Sequence, residues 1–99
     1  MRPIHLARLD KVRPVLVLTR DVVRPYLANV TIAPITSTAR GLSTEVTVGA
    51  SNGLDHDSVI SCDNITTIPV RQLMHQIGYL LPAQEPALTT AIVAAFDLD

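Results

Sequence analysis

Over most of the chain apolar residues either alternate with polar ones or run together in short blocks, and only near the C-terminus does the period lengthen to that of a helix. Ile4 to Leu9 sets Ile4 and Leu6 on one face and His5 and Ala7 on the other. Asp10-Lys11 then turns the chain toward the continuous apolar block Val15-Leu16-Val17-Leu18. This pattern predicts a tight hairpin. Asp21 to Ala28 carries Pro25 among mixed charges and reads as a connector or short helical turn, and Asn29 to Thr36 is the next strand. Pro34, with no N–H to give to a ladder, belongs at a bulge or strand end. Gly41 marks a turn before a strand over Leu42 to Val48, and Asn52-Gly53 is a tight-turn signal. A fifth strand is expected from Ser58 to Cys62, continuing through Asp63-Asn64 into Ile65 to Ile68, and a last short strand at Ile77 to Leu81, with a short helical turn at Pro69 to Leu73 and His75 in a connector. From Glu85 to Phe96 the spacing of Leu88, Ile92 and Phe96 gives one apolar helical stripe, and Pro86 is tolerated in the first turn. The prediction is five or six short strands followed by a C-terminal helix.

Composition supports that reading. The 99 residues leave room for one domain, 1–99, which buries roughly 65% of its unfolded surface. With 47% hydrophobic residues, 17% charged and a mean hydropathy of +0.31, a disordered chain is excluded. Val, Ile and Thr supply 11, 8 and 10 residues, and these branched side chains suit a pleated surface better than a helix. No apolar run approaches a membrane span, and Arg2 and Arg8 interrupt the N-terminus too early for a signal peptide, so a cytoplasmic protein without membrane association is expected. The single cysteine, Cys62, rules out an intramolecular disulfide and a zinc cluster and reads as a small core residue. With no Trp, two Tyr and one Phe, no aromatic stacking platform for single-stranded nucleic acid is expected. A small aliphatic core of this kind is expected to complete its burial as a homodimer.

A net charge of −1 conceals a strong segregation. Residues 1–40 hold seven cations and two anions, net +5, whereas residues 41–99 hold one cation and seven anions, net −6. Such asymmetry points to a polyanion partner for one face, although cations on strand edges and turns also serve simple solvation. Seven of the eight cations are Arg, whose planar fork suits phosphate.

Two segments taken together carry a more specific signal. Val12-Arg13-Pro14-Val15-Leu16-Val17-Leu18 is followed about twenty residues on by Val30-Thr31-Ile32-Ala33-Pro34-Ile35-Thr36-Ser37. This pair resembles the signature of the MazF/PemK toxins of bacterial type II toxin–antitoxin modules, in which an Arg-Pro opens the second strand and a Pro-x-Thr ends the third. Gly53-Leu54, Ser58 to Ile65 and Arg71 to Gly78 extend the likeness over nearly the whole chain. The resemblance implies a mainly β fold with a C-terminal helix, a small SH3-like barrel, in a homodimer. It also implies metal-independent, sequence-selective cleavage of single-stranded RNA and silencing by a cognate MazE-like antitoxin. Where the family has a longer loop between its first two strands, this chain has only Asp10-Lys11, which leaves the site open to structured RNA. Asp63-Asn64 stands where the family commonly has Asp-Gln, a shorter amide with the same donors and acceptors.

RNA carries its own nucleophile, the 2′-hydroxyl, so the protein needs to align it, move a proton and stabilise charge on the phosphoryl oxygens. The resemblance assigns these tasks to Arg13, Thr36 and Ser37. Arg13 suits the clamp, with an additional role as acid to the leaving oxygen; a guanidinium with a pKa above about 12 does not suit the base. Thr36 and Ser37 would donate hydroxyl hydrogen bonds to the same phosphoryl group. Lys11, Arg20, Arg24, Thr38 and Arg40 are the candidate RNA contacts, joined by Asp63 and Asn64, which either read base edges or cap a turn. His5 is the candidate general base if the hairpin brings it near Arg13, and otherwise a surface histidine. His56 lies between Asp55 and Asp57, and no histidine has a partner at metal-ligand spacing, so neither metal nor cofactor is expected. Two alternatives stay open: a gyrase-poison-type toxin of the same fold, which would not need the Arg13 and Thr36 pair, and an inactive barrel that binds RNA or antitoxin.

Overall fold

The expected hairpin forms, and the rest of the sheet is built outward from it. In the computed structural model, which describes residues 1–98, β1 (Pro3–Arg8) and β2 (Val12–Val17) pair antiparallel from Ile4↔Leu16 to Arg8↔Val12, joined by only Leu9, Asp10 and Lys11. Asp99, the last residue of the expected domain, lies outside the described residues. There follow β3 (Asn29–Thr36), β4 (Glu45–Val48), β5 (Ser58–Ser61), β6 (Thr66–Pro69), β7 (Leu73–Tyr79) and α1 (Glu85–Phe96). The strands run in the order β4-β5-β3-β2-β1-β7, with β6 paired to β3 off that path. The fold is mainly antiparallel β with one C-terminal helix, as the sequence indicated.

β3 is the hub because it is the longest strand and changes partner along its length. It pairs with β6 over Asn29 to Ile32, with β2 over Ile32 to Pro34, and with β5 at Ile35 and Thr36. The sheet therefore wraps on itself and encloses apolar residues on both faces. One core gathers Ile4, Leu16, Ile35, Ile60 and Leu80 under Leu88 and Ala91 of α1. The other gathers Ala7, Val15, Val17, Val30, Ile32 and Ile68. Cys62 is buried, and burial pushes its thiol pKa up, so it is an inert core residue.

Several expectations are corrected by this two-sided burial. Ala7, read as outward-facing, is fully buried in the second core, while Leu6 is only half-buried. Leu42 to Thr44 belong to a turn, with the Glu45 N–H donating to the Leu42 carbonyl at 3.1 Å, so the strand begins at Glu45. The helical turn near residue 70 shrinks to one 3₁₀ turn, Val70–Gln72. β7 starts four residues before the expected Ile77, which places His75 on a strand rather than in a connector. The helix spans the expected residues, but its buried stripe is Leu88 and Ala91 with Ile92 and Ala95 packed beside them. Phe96, expected in the apolar stripe, is instead 54% exposed at the last residue of the helix, beside Asp97 in a left-handed conformation (φ 54°). Truncating Leu88 to alanine would leave a cavity and cost about 2–5 kcal/mol.

Candidate active site

The β2–β3 register, Val15↔Pro34, Leu16↔Ala33 and Val17↔Ile32, sets Arg13 opposite Thr36 when continued by two residues. The hydrogen-bonded ladder does not continue, because Pro34 offers no N–H and the end of β3 turns to β5 through Ile35↔Ile60 and Thr36↔Val59. Between β2 and the end of β3 the surface opens. Two adjoining cavities, about 610 Å³ and 460 Å³, both have Arg13, Ile35 and Thr36 in their walls. Arg13 and Thr36 thus sit on the ridge between two halves of one groove.

Arg13 does not hang free. Asp10, in the hairpin turn, accepts hydrogen bonds from Arg13 Nε at 2.9 Å and Nη2 at 3.0 Å, a bidentate pair. The Arg13 guanidinium holds the Asp10 carboxyl well below the usual carboxylate range, and Asp10 raises the Arg13 pKa further above its ordinary value. A fixed and more firmly protonated guanidinium is a clamp, and the acid role suggested for it becomes less favourable. Two of its five N–H donors are engaged, so three are left for a phosphoryl oxygen. Thr36 is also held: its Oγ1 accepts the Thr38 N–H at 3.1 Å, which fixes the hydroxyl and leaves its hydrogen to donate outward.

The larger cavity gathers Thr38, Arg40, Asp63 and Asn64, four of the residues singled out as RNA contacts, from two separate segments. Asp63 Oδ2 accepts from Thr44 Oγ1 at 2.7 Å and Asn64 Nδ2 donates to Ser61 Oγ at 2.8 Å, so these residues both fix a turn and line the groove. Glu45 was not anticipated. Its carboxylate accepts the Arg40 N–H at 3.1 Å and the Leu42 N–H at 3.0 Å, which fastens the loop that carries Arg40. Lys11 and Ser37 line the smaller cavity.

Three candidates are placed elsewhere. Arg20 lies beside Leu18 and Thr31 at the opposite end of β3, and Arg24 is paired with Asp21 and lines neither cavity. His5 shares its face of β1 with Ala7; it is half-buried, its Nδ1 lies 2.8 Å from the Met74 carbonyl oxygen, and it lines neither cavity. The histidines that do reach the groove are His56 and His75, in the smaller cavity with Asp55 and Ser58. The only sequence signal for Asp10 was its three-residue spacing from Arg13 across a tight turn.

The charge of the groove is mixed. Its described lining includes the cations Lys11, Arg13 and Arg40 and the carboxylates Asp10, Glu45, Asp55 and Asp63. The groove is therefore not a uniformly basic face, and Arg13 is the cation on it that a side-chain hydrogen bond directs.

The chain has relatives among known proteins. The family described as "PemK-like, MazF-like toxin of type II toxin-antitoxin system" matches residues 4–96. The chain is 70% identical to endoribonuclease MazF3 of Mycobacterium tuberculosis over 99 residues, covering all of this chain and 96% of that protein. It superposes on the solved structure of the Mycobacterium tuberculosis toxin MazF-mt6 with a TM-score of 0.97 and 69% identity, over 99% of each chain. It also matches an endoribonuclease solved in complex with its cognate antitoxin from a mycobacterial species, with a TM-score of 0.88 and 26% identity over 98% of this chain and 93% of that one.

Proposed function

The chain belongs to the PemK-like, MazF-like toxin family of type II toxin–antitoxin systems and is an endoribonuclease of that kind, and from this premise we propose that it cuts single-stranded RNA by attack of the 2′-hydroxyl, without a metal ion and with sequence selectivity. The observation that carries the reading is the shared placement of Arg13 and Thr36 on the groove ridge, each fixed by a neighbour and each with donors to spare.

The 2′-oxygen attacks phosphorus and the bond from phosphorus to the 5′-oxygen breaks. The hydroxyl proton is transferred to the leaving oxygen, so the products are a 2′,3′-cyclic phosphate and a free 5′-hydroxyl. Charge builds on the two non-bridging oxygens in the transition state. Arg13 receives one of them on its unengaged N–H groups, and the Thr36 hydroxyl, with Ser37 beside it, donates to the same phosphoryl group. Asp10 keeps the fork oriented, so little reorganisation is needed when charge develops. Thr38, Arg40, Lys11, Asp63 and Asn64 contact the RNA on either side. A cognate antitoxin of the MazE kind, in the cytoplasm with the toxin as a homodimer, silences the reaction; the relative solved with its antitoxin and the small aliphatic core support that part.

Purified protein is incubated with RNA in excess EDTA. Cleavage with 5′-hydroxyl ends, lost in both Arg13→Ala and Thr36→Ala, is the expected result. Undiminished cleavage in both variants would refute the site assignment.

A further inference from the structure

The smaller cavity has a character that phosphate chemistry does not explain. Its walls pair the imidazoles of His56 and His75 and the hydroxyl of Ser58 with an apolar floor of Leu6, Leu54 and Ile77. Asp55 on the same wall opposes a second phosphate. A flat group with hydrogen-bonding edges fits such walls: an imidazole offers both a ring face and two nitrogens, one donor and one acceptor when neutral. At about 460 Å³ the cavity falls within the roughly 300–1,000 Å³ of small-molecule sites. It also shares Arg13 and Thr36 with its neighbour, so whatever fills it is adjacent to the phosphate they hold.

The cavity is also built rather than incidental. The segment from Gly49 to Ser58 carries His56 and crosses β7, which carries His75, at the closest approach two backbones allow. A Cβ on Gly53 would overlap the Ile77 carbonyl, and one on Gly78 would overlap the Asn52 carbonyl. Gly53 is also left-handed, with φ 85°. Asn52, buried, donates to the Tyr79 carbonyl at 2.9 Å and to Gln84 Oε1 at 2.7 Å, and Ser58 Oγ donates to the His56 carbonyl at 2.9 Å. Both walls are therefore fixed relative to each other without any ligand.

We infer that this cavity seats the base of the nucleotide next to the scissile phosphate, with His56 and His75 as the residues that select it. The inference rests on the RNA-cleaving reading above and assigns one side of the cut to these walls. A base that matches the imidazole edges forms hydrogen bonds there, and a mismatched base leaves them unpaired, which is how a polar pocket discriminates.

The test uses a randomised single-stranded RNA library, cut by the full protein and by its His56→Ala, His75→Ala and double variants, with the cut ends sequenced. Base preference at one position bordering the cut should collapse in the double variant while preferences elsewhere persist. Cleavage of the preferred RNA should fall about tenfold for each single change. Unchanged preference at that position, or an equal loss at every position, overturns the inference. If the wild-type protein leaves the library uncut, the reaction itself fails instead. The same library is then selected by binding to immobilised protein: loss of one enriched position in the variants supports the base pocket, and enrichment that is equal or absent overturns it.

Discussion

The two ends of β3 differ in their strand partners and in what surrounds them. At the Asn29 end, four consecutive residues pair with β6; of the cations nearby, Arg20 lines a separate cavity of about 510 Å³ with Leu18, Val23 and Leu27, and Arg24 is tied to Asp21. At the Thr36 end, Pro34 stops the β2 ladder, the strand transfers to β5, and the groove opens beside Arg13. Both ends are rich in arginine and both lie in the basic half of the sequence. Among the described residues, only the Thr36 end sets an arginine held bidentately by a carboxylate on the wall of an opening beside a fixed hydroxyl. Charge density along a chain does not make a phosphate site; an interrupted ladder that leaves directed donors facing an opening does.

That contrast yields graded expectations. Arg13→Ala should lower kcat/KM by about 100- to 1,000-fold, the range for removing a preorganised donor from a developing oxyanion. Arg20→Ala and Arg24→Ala should stay within about twofold, so a comparable loss in either would erase the distinction between the ends. Thr36→Ala should cost about 100-fold, whereas Thr36→Ser keeps both the hydroxyl and its bond from the Thr38 N–H and should recover most activity. Asp10→Ala releases the guanidinium without removing it, and a loss of about tenfold, mainly in kcat, is expected.

Two physical titrations carry smaller effects. With Lys11, Arg13 and Arg40 as the cations on the groove, log Kd for single-stranded RNA should change with log salt by a slope of no more than about 2 in magnitude. A much steeper slope would mean that Arg20 and Arg24 also bind the strand. The Asp10 carboxyl is depressed by Arg13, so its contribution is complete above the ordinary carboxylate pKa and fades only as pH falls through the depressed value. The ratio of wild-type to Asp10→Asn activity should therefore hold within about twofold between pH 7 and pH 5, as read from kcat/KM profiles.

Where local pattern and tertiary packing agreed, the sequence was a reliable guide: β3 and α1 have the expected bounds, and the Asp10-Lys11 hairpin turn is present. The spacing of Arg-Pro and Pro-x-Thr also pointed to the two residues that meet on the ridge. What escaped depended on long-range pairing. Leu73-Met74-His75-Gln76 lacks clean alternation because β7 shifts register against β1 at His5, so its first half read as a connector and His75 was lost with it. Three of the groove's four carboxylates, Glu45, Asp55 and Asp63, arrive from β4 and from the segments either side of β5, far from Arg13 in sequence, which made the N-terminal half look more basic than the groove it borders. His5 was drawn toward Arg13 by hairpin proximity, but its ring is engaged with the Met74 carbonyl and it lines neither half of the groove.

The central claim is that Arg13 and Thr36 act on one phosphoryl group. A double-mutant cycle on kcat/KM tests it, with Arg13→Ala, Thr36→Ala and the double variant measured on the same RNA in EDTA. Groups that stabilise the same charge as a unit should be non-additive, leaving the double variant within about threefold of the slower single variant. A double variant slowed by the full product of the two single losses would show that they act independently and would contradict the account.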